Sequence, residues 1–259
     1  MKTKTIKTTK GTTISFTDKG AGNPVVLIHG FVGDLHYWDH VIEPLSQNYR
    51  VIVIDLPGHG SSSLSDETFT TEDYADEVAS LVQQLNLTKI SLIGHSLGGY
   101  ITVAFAKKYA SLLERFALVH STALPDTEEA KAGRLAGMEK IKSDGLQVFV
   151  DGLVPKLFAP DHLTKYEQIT KEIGYKTSTE GALAALEAMR SRPDLSAVLA
   201  TATVPVLLVA GSNDKVVPAE RVFAAEGDHI KKVVISSVGH MSMYEAPEEL
   251  IRELQEFLG

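Results

Sequence analysis

Residues 90–99 read Ile90-Ser91-Leu92-Ile93-Gly94-His95-Ser96-Leu97-Gly98-Gly99. A short apolar run ends at glycine, and a helix-forming stretch follows from Leu97 towards Tyr109. The run predicts a strand buried on both faces, joined by a tight turn to a helix. The turn carries the pattern Gly-x-Ser-x-Gly, in which the serine sits in strained backbone and its close neighbours must be small. Gly94 and Gly98 supply that space, and Gly99 adds to it. The amides at the start of the helix point at any negative charge developing near Ser96. As a bare string the pattern arises by chance; between a strand and a helix it marks a nucleophile.

Outward from this point the chain alternates. Lys4-Thr8 and Thr12-Thr17 read as an antiparallel hairpin turning near Gly11. Pro24-Ile28 and Val51-Ile54 are continuous apolar runs, each followed by a loop containing glycine. Trp38 to Leu45 suits a short helix, and Tyr74, Val78, Leu81 and Leu85 recur at helical spacing behind an acidic first turn. Phe116-His120, Val204-Gly211 and Lys232-Ile235 continue the strands, and Pro247 to Leu258 forms an amphipathic helix. Strands alternating with helices imply an α/β fold, a mostly parallel central sheet with helices on both faces. The rhythm breaks from Pro125 to Pro193, where Glu128-Ile141, Leu146-Phe158 and Thr179-Met189 are read as helical. The expected organisation is a core of residues 1–124 and 194–259 with a helical cap of residues 125–193 inserted over one end of the sheet.

Bulk properties narrow the function. A chain of 259 residues suits one sizeable core. With 44% hydrophobic and 22% charged residues the composition is that of an ordinary globular protein. The formal net charge of -8 offers no footprint for nucleic acid. The absence of cysteine excludes disulfides, thiolate metal sites and a cysteine nucleophile. No apolar run follows the basic residues Lys2, Lys4 and Lys7, so neither a signal peptide nor a membrane span is expected, and the default location is cytoplasmic.

A serine hydroxyl needs a base, and the base needs a carboxylate to orient it. Asp214 lies in Gly211-Ser212-Asn213-Asp214-Lys215 after one buried strand, and His240 in Val238-Gly239-His240-Met241 after the last. Both fall at the carboxyl ends of strands, the edge to which Ser96 belongs and where active sites collect. His29, His36, His59, His95 and His120 are rival bases, but none follows the last strand. Oxyanion donors are expected from the backbone amides of Leu97 and of Phe31, in the glycine-containing turn His29-Gly30-Phe31. Trp38, His120, Phe149, Leu153 and Met241 are candidates for the substrate pocket. A small-molecule substrate is the expected partner, with no metal and no organic cofactor. The sequence does not define an oligomeric state.

These segments together resemble the alpha/beta-hydrolase superfamily, in its serine-nucleophile branch with a short helical cap. The resemblance runs from His29-Gly30-Phe31 through Leu56-Pro57-Gly58-His59-Gly60, the elbow, Met189-Asp194 and the Asp214 loop to Val238-Gly239-His240. It implies a triad of Ser96, Asp214 and His240 and a carboxylesterase-like activity through an acyl-enzyme. Dehalogenases and epoxide hydrolases of the superfamily carry aspartate where this chain has Ser96. Proline-iminopeptidase-like members typically carry tryptophan where this chain has Leu97. Carbon–carbon bond hydrolases and lactonases share the serine triad and stay open as alternatives, as does a ligand-binding protein of the same fold with little turnover.

Overall fold

The computed structural model describes residues 2–65 and 69–259. Eight strands form one sheet: β1 (Lys4–Lys7), β2 (Thr13–Lys19), β3 (Pro24–Ile28), β4 (Arg50–Ile54), β5 (Ile90–His95), β6 (Leu113–Val119), β7 (Val206–Gly211) and β8 (Ile230–Ile235). Their spatial order is β1-β2-β4-β3-β5-β6-β7-β8. β2 pairs antiparallel with both β1 and β4, and every pairing from β4 through β8 is parallel. The continuous apolar runs are the central strands. Val25 to Ile28, Val51 to Val53 and Val206 to Val209 are fully buried because helices cover both faces of the sheet. The outer strand β1 is largely exposed and carries Lys4 and Lys7, charges that discourage pairing of a free sheet edge.

The helix Thr71–Gln84 begins where the acidic first turn predicts it. The Thr70 side chain accepts from the Asp73 amide and the Asp73 side chain accepts from the Thr70 amide. This reciprocal cap satisfies two amide donors that a helix start leaves open. The helix Leu97–Tyr109 packs with every residue from Leu97 to Ala106 buried, as befits a central helix rather than a surface one.

Between β6 and β7 the chain forms the helices Glu128–Asp144, Leu146–Leu153, Pro160–Gly174 and Thr179–Ser191. Ser178 donates its amide to Gly58 O, and His240 donates its amide to Leu157 O. These contacts seat the helices over the loops that leave the carboxyl ends of β4 and β8. The helix Pro160–Gly174, and the short helices Ser196–Ala200, Ala219–Val222 and Ser242–Glu245, are additions to the elements read from sequence. Among the described residues, no helix is long and apolar enough to cross a membrane.

The elbow geometry depends on Gly94. A Cβ there would lie 2.2 Å from Gly98 O and 2.4 Å from Thr102 Oγ1. Gly98 O is backbone of the helix that the strand feeds and cannot withdraw without moving it. Gly94→Ala is expected to cost about 2 kcal/mol or more of stability, read as a lowered urea midpoint. An unchanged midpoint would mean that the strand-to-helix packing is looser than described.

Candidate active site

Ser96 follows β5 and caps the helix Leu97–Tyr109, with φ 51° and ψ -114°. A non-glycine residue in this region is strained, and such strain persists only where the surroundings over-determine it. Here Ser96 N donates to Val119 O on β6, and Ser96 O accepts from Gly99 N and from the Ser121 hydroxyl. The neighbouring strand and helix therefore fix the serine, which lines a cavity of about 250 Å³.

His240 also lines this cavity. Its Nδ1 lies 2.8 Å from Asp214 Oδ2, which leaves Nε2 as the free ring nitrogen. Its backbone is held from several sides. The amide donates to Leu157 O at 2.7 Å, and the carbonyl lies 2.9 Å from His95 Nε2. The buried Glu245 carboxylate accepts from the amides of Gly239, Met241 and Ala159, tying the His240 loop to the start of the helix Pro160–Gly174.

Asp214 is almost wholly buried and fully engaged. Oδ1 accepts from the amides of Val216 and Val217 at 2.8 and 3.0 Å. Oδ2 accepts from His240 and also from His120 Nδ1 at 3.2 Å. The tautomer of His120 follows from its other nitrogen. Ser242 N donates to His120 Nε2, so a neutral ring carries its proton on Nδ1. Burial alone would push the Asp214 carboxyl up, but the His240 charge and the two histidine hydrogen bonds outweigh it and hold the group well below the usual carboxylate range. His120, Asp214 and His240 also have the spacing of a metal-binding group. However, each Nδ1 carries the hydrogen it shares with the carboxylate, so neither of these two nitrogens offers a lone pair to a metal.

The turn expected to supply a second donor lies against the serine. A Cβ on Gly30 would be 3.2 Å from Ser96 Cβ and 2.6 Å from His95 Nδ1, so only glycine lets the backbone come this near. Among the described residues, neither Phe31 N nor Leu97 N has a hydrogen-bond acceptor. His29 buttresses the turn: its Nε2 accepts from Leu56 N, and its Nδ1 donates to Gly30 O at 2.7 Å. Two such amides beside a serine can hold an oxygen that gains negative charge.

Of the five residues expected in the pocket, Leu153 lines the cavity; the other four have different surroundings. Trp38 ends the 3-10 turn Leu35–Trp38 and is fully buried in the core. His120 lies beneath Asp214. Phe149 packs behind Phe31 with ring centres 5.9 Å apart, bracing that ring. Met241 turns inward ahead of the helix Ser242–Glu245 and is fully buried. In their place the wall includes Tyr37, Tyr100, Asp126, Arg134, Arg192 and Arg221. Asp126 follows β6 at the catalytic edge, a position that sequence reasoning could have flagged. Arg134 lies on a cap helix and carries no such signal.

The geometry and the chain's likenesses converge. The chain belongs to the alpha/beta hydrolase fold family, whose model matches residues 23–247. A thermophilic esterase from Thermogutta terrifontis shares 32% identity and a TM-score of 0.91, over 100% of this chain and 98% of that one. The (E)-2-((N-methylformamido)methylene)succinate hydrolase of Acinetobacter baylyi is 26% identical over 100% of this chain and 98% of its own. The dihydrolipoyllysine-residue acetyltransferase component of the acetoin cleaving system of Pseudomonas putida is 31% identical over 92% of this chain. This chain spans 64% of that protein's length, less than two thirds.

Burial disfavours the charged form of the histidines around the site. It lowers His29 to about 4 and His59 to about 3, and it lowers His95 and His120 as well. An unfolded histidine takes up its proton near 6.5, so between 6.5 and about 4 the unfolded chain binds more protons than the folded one. Stability therefore falls as pH falls through this window, by at most about 1.4 kcal/mol per pH unit for each of His29 and His59. Thermal unfolding followed by circular dichroism should show a melting temperature that drops between pH 6.5 and 4, above the main carboxylate range. A flat profile there would mean the histidines are not buried as neutral rings.

Proposed function

We propose that the chain is a serine hydrolase of small carboxylic esters. One observation carries the reading: a strained serine at a strand-to-helix turn shares a cavity wall with a histidine whose Nδ1 is hydrogen-bonded to a buried carboxylate. Ser96 Oγ attacks the ester carbonyl as His240 Nε2 takes its proton. Asp214 holds the imidazole and stabilises the cation that forms. The amides of Phe31 and Leu97 receive the carbonyl oxygen as it becomes anionic. His240 then protonates the departing alcohol, leaving an acyl group on Ser96. Water, deprotonated by His240, releases the acid and restores the serine.

His120 bonds the same Asp214 oxygen as His240, and the Val216 and Val217 amides hold the other, so the carboxylate is kept in place when the imidazole is charged. The same steps would open a lactone or cleave a carbon–carbon bond in a diketone. The ester is preferred because the esterase of Thermogutta terrifontis is similar over the whole of this chain at 32% identity.

Hydrolysis of p-nitrophenyl acetate by the native chain and by Ser96→Ala tests the reading. The variant is expected to lose about a thousandfold or more in kcat while unfolding at the native temperature. Phenylmethanesulfonyl fluoride should add one sulfonyl group, mapped by mass spectrometry to the peptide containing Ser96. Full activity in Ser96→Ala would overturn the assignment. Lactones and diketones assayed beside the esters rank the bond types.

A further inference from the structure

The cavity above Ser96 is chemically divided. Phe31, Leu153, Leu157, Met189, Val216 and Val217 give it apolar walls. Thr122, Asp126, Arg134, Arg192 and Arg221 line the same space. Three guanidinium groups thus meet one carboxylate in a chain where acidic residues outnumber basic ones, 33 to 25. A cavity in such a chain would be expected to be acidic or neutral, yet the polar part of this wall carries an excess of two positive charges.

The three arginines are not equally free. Arg192 is committed to the structure. Its side chain is 5% exposed and pairs with Asp126 Oδ1 at 2.7 Å. It also donates to Leu124 O and Met189 O and stacks on the Tyr100 ring at 3.9 Å. Asp126 in turn is taken up by Arg192 and, through Oδ2, by Arg134 Nε at 3.2 Å. Arg134 thereby spends Nε and keeps its terminal nitrogens. Arg221 places Nη2 on Pro125 O at 2.7 Å, an acceptor that carries no charge. Each guanidinium has five N–H donors in a planar fork suited to a carboxylate. Arg134 and Arg221 therefore keep donors and net charge for a ligand, and Asp126 and Pro125 O hold them in position.

We propose that Arg134 and Arg221 bind a carboxylate of the substrate, remote from the bond that Ser96 attacks, so that the preferred substrates are half-esters of short dicarboxylic acids. The inference rests on the hydrolase reading for the cleavage and on the arginines alone for the binding. The apolar wall accepts the methylene chain between the two functional groups, and Arg192 with Asp126 sets the position of the cationic end.

The test compares mono-p-nitrophenyl succinate, glutarate and adipate with uncharged p-nitrophenyl esters of equal acyl length. At least one half-ester should exceed its neutral partner about tenfold or more in kcat/KM, the scale of a hydrogen bond to a charged group. In the double variant Arg134→Gln, Arg221→Gln that preference ratio should collapse, through a rise in KM. Arg134→Lys with Arg221→Lys should recover part of it, because charge survives without the fork. Melting temperatures near native show that the variants fold. Neutral esters cleaved as well as every half-ester, or a preference that survives the double variant, would overturn the carboxylate site and leave the hydrolase reading standing. Calorimetric titration of Ser96→Ala with the monomethyl half-esters separates the two readings. Binding that the arginine variants abolish supports the site even where no ester is cleaved. Absence of binding to all three overturns it.

Discussion

The backbone of Ser96, with φ 51° and ψ -114°, is the constraint on which the rest of the site depends. Such a conformation is unfavourable in isolation and is held from both sides, by β6 through Val119 O and by the following helix through Gly99. The helix can approach because Gly94 leaves the Gly98 carbonyl room. The strain then places the serine side chain at the carboxyl edge of the sheet with the helix amides beneath it. A relaxed turn would lay the same residue into the helix, where its hydroxyl would bond to backbone instead of facing the cavity.

Around this point burial disfavours the charged form of four histidines. His29 supports the turn before Phe31, His59 packs against both the His29 and Phe31 rings, His95 fastens the His240 carbonyl, and His120 bonds Asp214. His29 is a rigid plane with one donor and one acceptor, and it links the Gly30 and Leu56 backbones without adding charge. In the mechanism proposed above an imidazolium forms at His240, and further positive charge on the neighbouring rings would oppose it. Their burial therefore serves the electrostatics of the site as well as its packing.

The fold was legible where local pattern and burial coincide. β3 and β4 declare themselves because strands covered on both faces need unbroken apolar runs. The grouping of Ser96, Asp214 and His240 is legible because each follows a strand, so the ladder order places them on one edge. The helix Pro160–Gly174 escaped because its apolar residues are shared between solvent and distant partners. Ile169 is 47% exposed, while Tyr166 packs on Phe158 and on Tyr244, far along the chain. The pocket lining escaped for a related reason. Apolar side chains such as Trp38 and Met241 look available in sequence but are drawn into the core. Charged residues such as Arg134 and Arg192 become cavity walls only once Asp126 and the Leu124 and Met189 carbonyls gather them.

Arg192 joins the point where the chain departs for the cap helices to the point where it returns. Its guanidinium holds Leu124 O and Asp126 on the outgoing side and Met189 O on the incoming side, and Leu195 N donates to Ala123 O beside it. The helical block is therefore a loop whose ends are already closed on the core, so lengthening it adds closure entropy only logarithmically. Away from Leu157, Ala159 and Ser178, which hold the His240 and Gly58 loops, the segment between the two ends can change in length and sequence with little strain passed to the sheet. Those parts of the cavity roof can be exchanged while the floor that carries Ser96 stays as it is.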